Sequence, residues 1–345
     1  MTQSFRLNFG GSIDRQRRLE FTFDKKRYSG FGGDTLASAL LANDVLLVGR
    51  SFKYHRPRGI LSAGSEEPNA LVELRTGARQ EPNTRATTVE LFHGLTARSQ
   101  NRWPSLRFDM LAVNSLLSPI FAAGFYYKTF MWPASFWEKV YEPAIRRAAG
   151  LGRTASAADP DIYEKSTVHC DVLVIGAGAA GLMAALAAAR SGARVILCDE
   201  DFQLGGRCLS EDRAIGDMKA AAWAQSIEAE LNANAEVKIL RRTTVFAVYD
   251  GGTYAAIERV NDHVAEPPDH EPRQRLWRII AKQTILAAGA IERPLVFGDN
   301  DRPGVMLAGS VRSYINRFAV KPGTRAVVFA NNDDALQTLK SLRSV

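Results

Sequence analysis

Short alternations of apolar and polar residues open the chain. The runs at 5–9, 19–23 and 70–74 alternate with period two between glycine-rich turns, which predicts short strands. Residues 34–43 switch to helical periodicity behind the capping sequence Gly33-Asp34-Thr35. This region reads as a small α+β domain with bounds 1–95. Residues 96–168 are less regular. Trp103, Phe125, Tyr126, Tyr127, Trp132 and Trp137 read as packing material between domains, and residues 136–150 have a helical look. The stretch 151–167 is small, polar and proline-containing, as linkers are. A new domain is expected from about His169 to Val345.

That domain opens with the strongest signal in the chain. An apolar strand at 172–175 enters Gly176-Ala177-Gly178-Ala179-Ala180-Gly181, an alanine-rich helix follows, and a second strand at 194–198 ends in Asp199. The three glycines differ in what they do. Gly176 makes the tight turn, Gly178 lets the backbone approach a pyrophosphate, and Gly181 packs helix on strand. The phosphates would then lie at the helix N-terminus. An acid about twenty residues past the glycines accepts hydrogen bonds from a ribose hydroxyl and disfavours a 2′-phosphate, so NAD or FAD is expected over NADP. A later strand, 283–288, resembles the nucleotide-contacting strand that returns to the first sheet in two-dinucleotide-fold flavoproteins, after an insert of about 203–282. The candidate cofactor-binding set is Gly176, Gly178, Ala179, Ala180, Gly181, Asp199, Glu200, Gly206, Arg207, Ala288 and Gly289. The fold class is α/β, a Rossmann-like domain of the disulfide-reductase type.

A second nucleotide unit is expected to open at Ala326, where a strand meets Asn331-Asn332-Asp333-Asp334 in place of glycines. Such residues tolerate left-handed turns but put side chains where bare backbone is useful, so one dinucleotide is expected, in the first site. The chain stops inside this unit and reads as C-terminally truncated.

Composition removes several alternatives. With 46% apolar and 23% charged residues, a chain of 345 is an ordinary globular protein. The net charge of +7 is spread over scattered pairs and triplets such as Arg15, Arg17 and Arg18, with no nucleic-acid-binding pattern. Three cysteines, Cys170, Cys198 and Cys208, are too few for a disulfide framework, and no secretory signal opens the chain, which fits a cytoplasmic setting. Residues 110–127 approach the length of a membrane span but hold Asn114, Pro119 and Gly124, and are read as buried segments. Cys208 follows Gly205-Gly206-Arg207, where disulfide reductases carry a redox pair, but it has no partner and reads as structural. Five dispersed histidines give no metal site, and no catalytic acid, base or nucleophile is assigned. Arg56 and Arg58 read as a solvated or interface loop.

Residues outside any cofactor motif point further. The runs GDTLASALLAND, GRSFKYHRPRGILSAGSEEPNALVEL, QNRWPSLRFDMLAVNSLLSP, FYYKTFMWPASFWEKVYEPAIRRAAGLG and AIERPLVFGDNDRPGVMLAGSVRSYINRF resemble the α subunit of heterotetrameric sarcosine oxidase. The resemblance implies that 33–74 belongs to a ubiquitin-like [2Fe–2S] ferredoxin domain. Cluster-bearing relatives have cysteines after the PRG turn; here 61–69 reads LSAGSEEPN, so no thiolate is available and the domain is structural. It further implies oxidative demethylation of sarcosine to glycine, with O₂ reduced to hydrogen peroxide and the one-carbon unit passed to tetrahydrofolate. NAD would be held by this chain, with FAD and FMN on a β subunit and smaller γ and δ subunits completing the heterotetramer; the folate domain of family α chains is absent. The alternative is a subunit of an FAD-dependent amine or opine dehydrogenase, in which this site holds FAD.

Overall fold

The computed structural model describes residues 3–119, 124 and 130–345. Strand β1 (Asp14–Phe23) turns through Asp24 and Lys25 into β2 (Lys26–Gly32). Its alternation places Leu19, Phe21 and Phe23 on one buried face. Helix α1 (Leu36–Ala42) is buried at every residue. Its start is fixed by a reciprocal cap, in which the Ser38 amide donates to the Thr35 hydroxyl and the Thr35 amide to the Ser38 hydroxyl. With β3 (Leu71–Leu74), β4 (Glu81–Arg85) and β5 (Leu95–Ser99), the sheet runs β2-β1-β5-β3-β4, β1 and β5 being parallel. The run at 5–9 does not join it. Its backbone bonds instead to the far end of the chain, Leu7 donating to the Ala319 carbonyl and Lys321 to that of Phe5.

The second sheet is built on β6 (Tyr163–Ile175), with α2 (Ala179–Arg190), β7 (Val195–Cys198), α3 (Ala220–Asn232), β8 (Val237–Leu240), β9 (Thr243–Tyr249), β10 (Thr253–Glu258) and β11 (Gln274–Leu286) following. Its order is β8-β7-β6-β11-β10-β9, the first four strands parallel and the last three an antiparallel meander. All four residues of β7 are buried, as an interior parallel strand requires. Strand β6 starts at Tyr163, inside the stretch read as linker, because β11 pairs with it from Gln274 onward. Strand β11 ends at Leu286, so only part of the run expected at 283–288 is extended in the sheet.

Two helices follow, α4 (Ala308–Asn316) and α5 (Ala335–Arg343). The strand expected before α5 is absent: residues 321–330 contain none, and Val327 and Phe329 are 96% and 65% exposed. A strand must pair its amides and carbonyls, and no described strand pairs with this segment. The polar turn does form, with the Asp334 amide donating to the Asn332 side chain.

The two domains meet directly. Tyr314, Phe318 and Val320, from the far end of the chain, lie in one apolar core with α1 and β1. Arg242 pairs with Glu90 at 2.7 Å, Arg79 with Asp161 at 2.8 Å, and Arg273 with Glu81. Where it is described, the aromatic segment does not place its tryptophans between the domains. Trp103, Trp132 and Trp137 are exposed, while 125–127 lie outside the described residues. The 110–127 stretch is likewise not buried where it is described: Met110–Leu117 forms a 3-10 helix with Val113 and Leu116 in solvent. Helix Glu142–Ala148 matches the helical look of 136–150. Among the described residues no helix is long and apolar enough to cross a membrane.

Candidate dinucleotide site

At the end of β6 the backbone turns through Gly176 at φ +97°, a left-handed conformation that favours glycine. A Cβ there would stand 2.4 Å from the Ala287 carbonyl oxygen, so the return strand lies close over the turn. At Gly181 a Cβ would meet the Gly176 oxygen at 1.8 Å, which holds α2 against the strand it follows. Gly178 differs: nothing lies within 4 Å of the place its Cβ would fill. It precedes α2, whose N-terminus has no side-chain cap. An open concavity of backbone at a helix start suits a phosphate, and the residues here fit the pyrophosphate of a dinucleotide.

Around this turn the structure gathers most of the predicted set. Gly206 sits so close that its Cβ would be 3.1 Å from the Gly178 Cα, and the Gly205 amide donates to the Ala177 carbonyl at 2.8 Å. Ala288 borders Gly176 from the other side, and Gly289 follows at φ +72°. Ala179 and Ala180 start α2. Asp199 closes the floor, accepting from the Ala177 amide at 2.6 Å and the Asp201 amide at 2.8 Å. Burial pushes its carboxyl up to about 6, against those two hydrogen bonds.

Two predicted residues point elsewhere. Glu200 reaches the other domain, its carboxylate accepting from the Ser65 hydroxyl at 2.7 Å and its carbonyl from Arg259 at 2.6 Å. Arg207 is exposed and pairs with Glu211 at 2.5 Å and Asp334 at 3.5 Å. Arg56 bridges Asp299 and Asp301 at 2.7 Å each, so the KYHRPRG loop is an interface.

Sequence reasoning missed the supports of the site. The Asp201 carboxylate is gripped by Arg317 at 2.5 and 2.7 Å. Burial raises the Asp201 carboxyl, but the Arg317 charge and hydrogen bonds bring it below the ordinary carboxylate range. Glu292 caps α4, accepting from the amides of Ala308 and Gly309 at 2.9 and 2.8 Å. The only prior signal was an acid placed after the return strand. Cys208 is a buried thiol whose pKa is raised by burial and then by the Glu211 charge, so it stays protonated. Among the described residues no group of His, Cys, Asp and Glu is arranged to hold a metal ion.

Comparisons with known proteins agree with this layout. Residues 16–102 match a family described as a 2Fe-2S iron-sulfur cluster binding domain, and 171–264 one described as FAD dependent oxidoreductase. The chain thus joins a ferredoxin-like domain to a dinucleotide-fold domain of the FAD-dependent oxidoreductase type. Along its length it is similar to the N-terminal portion of the sarcosine oxidase α subunit. It is 59% identical to that of Rhizobium meliloti (strain 1021) over 99% of this chain and 34% of that protein. Identity to that of Corynebacterium sp. (strain U-96) is 40%, over 96% and 30%. The chain therefore spans about a third of the length of these curated relatives. Among solved structures, an L-proline dehydrogenase from P. horikoshii matches in fold, with TM-score 0.64 and 20% identity over 99% of this chain and 54% of that one.

Proposed function

We propose that this chain is the dinucleotide-holding part of a sarcosine oxidase α-type subunit. The observation that carries the reading is the open cradle at Gly178, floored by the half-buried Asp199 carboxylate. Gly176, Gly178 and the first turn of α2 would hold the pyrophosphate, and Asp199 a ribose hydroxyl, its negative charge opposing a 2′-phosphate. Gly206 and Ala288 bound the cradle on either side. When bound, the dinucleotide would supply a hydride-accepting ring, carried away from this cradle. No acid, base or nucleophile of this chain is assigned to the amine oxidation. Hydride removal from sarcosine therefore belongs to the partner subunits in this reading, with FAD and FMN on β and with γ and δ completing the assembly. Peroxide formation and one-carbon transfer to tetrahydrofolate are properties of that whole assembly.

The nucleotide is NAD in this reading, following the α-subunit resemblance. A second reading, FAD, is favoured by the match of 171–264 to an FAD-dependent family, and would make the chain an amine dehydrogenase-type subunit. The test is to purify the chain, denature it, and identify the released nucleotide by mass and absorbance. NAD without flavin supports the first reading and FAD the second. Absence of both overturns the site assignment.

A further inference from the structure

Residues 16–102 match a family described as a 2Fe-2S iron-sulfur cluster binding domain, and the family resemblance puts the cluster cysteines after the PRG turn, in the loop that here spans 61–69. The residues present do not fit one. The loop has no cysteine, and Cys170, Cys198 and Cys208 lie in the cores of the other domain. What occupies the loop is the carboxylate of Glu67, a residue only 1% exposed. One of its oxygens accepts from the amides of Leu61 and Ser62 at 2.9 and 2.7 Å, the other from those of Asn69 and Ala70 at 2.7 and 3.0 Å. No described Lys or Arg forms an ion pair with it. A ring of inward amides is a nest for an anion, and such nests recur at iron-sulfur sites. The four amides satisfy both carboxylate oxygens without a cation.

The same loop reaches the nucleotide domain at three points. Tyr314 of α4 donates to the Ser62 carbonyl at 2.7 Å, Leu307 to that of Leu61 at 2.9 Å, and Ser65 to Glu200 at 2.7 Å. These contacts bear on the turn beside Asp199 and on the helix that Glu292 caps. We propose that Glu67 is a built-in anion standing where the domain family holds a cluster, and that the loop it closes is a strut positioning Glu200 and α4 against the dinucleotide site. Glu67 is thus a positioning residue. The strut half rests on the dinucleotide reading above; the anion half does not.

The test uses the 345-residue chain and the variants E67Q, E66Q and S65A. E67Q keeps the shape but turns an amide N–H₂ toward two donors. It is expected to lower Tm by at least about 5 °C, while E66Q melts with the wild type. S65A is expected to keep its Tm within about 2 °C yet release nucleotide roughly threefold faster. Anaerobic incubation with ferrous iron and sulfide is expected to leave no iron on the protein after desalting. If E67Q melts with the wild type, or the wild type takes up iron with visible absorbance, the anion half is overturned. Wild-type release from S65A overturns the strut half. Should the chain hold no nucleotide, the strut is read from hydrogen exchange at Ala308 and Gly309: faster exchange in E67Q supports it and unchanged exchange overturns it.

Discussion

Two glycines of the same turn, Gly178 and Gly181, give opposite expectations when each is changed to alanine. At Gly178 the new methyl meets no protein atom and φ is −70°, ordinary for any residue. Gly178→Ala should leave Tm unchanged or slightly raised while bound nucleotide falls at least about tenfold, because the methyl would fill the space proposed for the phosphate. At Gly181 the methyl would collide with the Gly176 carbonyl, so Gly181→Ala should cost about 3 kcal/mol in urea unfolding. Asp199 yields a pH test with two opposite signs. Because burial raises its carboxyl to about 6, the folded state keeps a proton that the unfolded chain has released, and this group's contribution to stability falls as pH rises from the usual carboxylate range through 6. Nucleotide retention runs the other way. In the proposed site the ionised form would accept the ribose hydroxyl, so release should accelerate as pH drops through about 6, and Asp199→Asn should flatten that dependence and weaken discrimination against a 2′-phosphate. A pH-independent release rate in the wild type would exclude the assigned role.

Helix α4 is the element on which the supports converge. Its Tyr314 phenol is fully buried, and burial together with the charges of Glu67 and Glu66 holds it protonated as a donor to Ser62. Tyr314→Phe leaves that carbonyl without its partner and should cost about 1–3 kcal/mol by chemical unfolding, with no dependence on pH between about 5 and about 8. Little of this was legible beforehand. The β6–α2–β7 unit could be read because each step carries a local signature: a buried apolar run, glycines at fixed offsets, and a terminal acid. Strand β6 upstream of Cys170 could not, since residues 163–169 are polar enough for a linker and become a strand only through β11, far along the chain. The run at 5–9 and the segment before α5 failed in the reverse sense: both have strand-like sequence, but the first makes only an isolated antiparallel bridge to Val320 and the second forms no strand. The supports of the site were hidden for the same reason. Arg317 and Glu292 acquire meaning only from distant partners that no local pattern announces, whereas Glu67 is closed by amides within six residues of it.

At the scale of the whole molecule, the two domains share contacts across their boundary. The first domain's core contains Tyr314, Phe318 and Val320, and its edge is tied to the second by Arg242–Glu90 and Arg273–Glu81. Calorimetry should therefore show the two sheets melting in one cooperative transition; two resolved transitions would mean that these shared contacts do not couple them. The exposed aromatics Trp103, Trp132 and Trp137 lie apart from that shared core and contribute little to it.

The four amides closed on Glu67 also bear on how the protein is made. A loop organised by an inorganic centre waits for metal delivery and sulfide donation before it can settle. This one carries its organiser in the genetic message, so the loop matures as the chain folds, and neither iron starvation nor the oxidants that dismantle such centres can undo it.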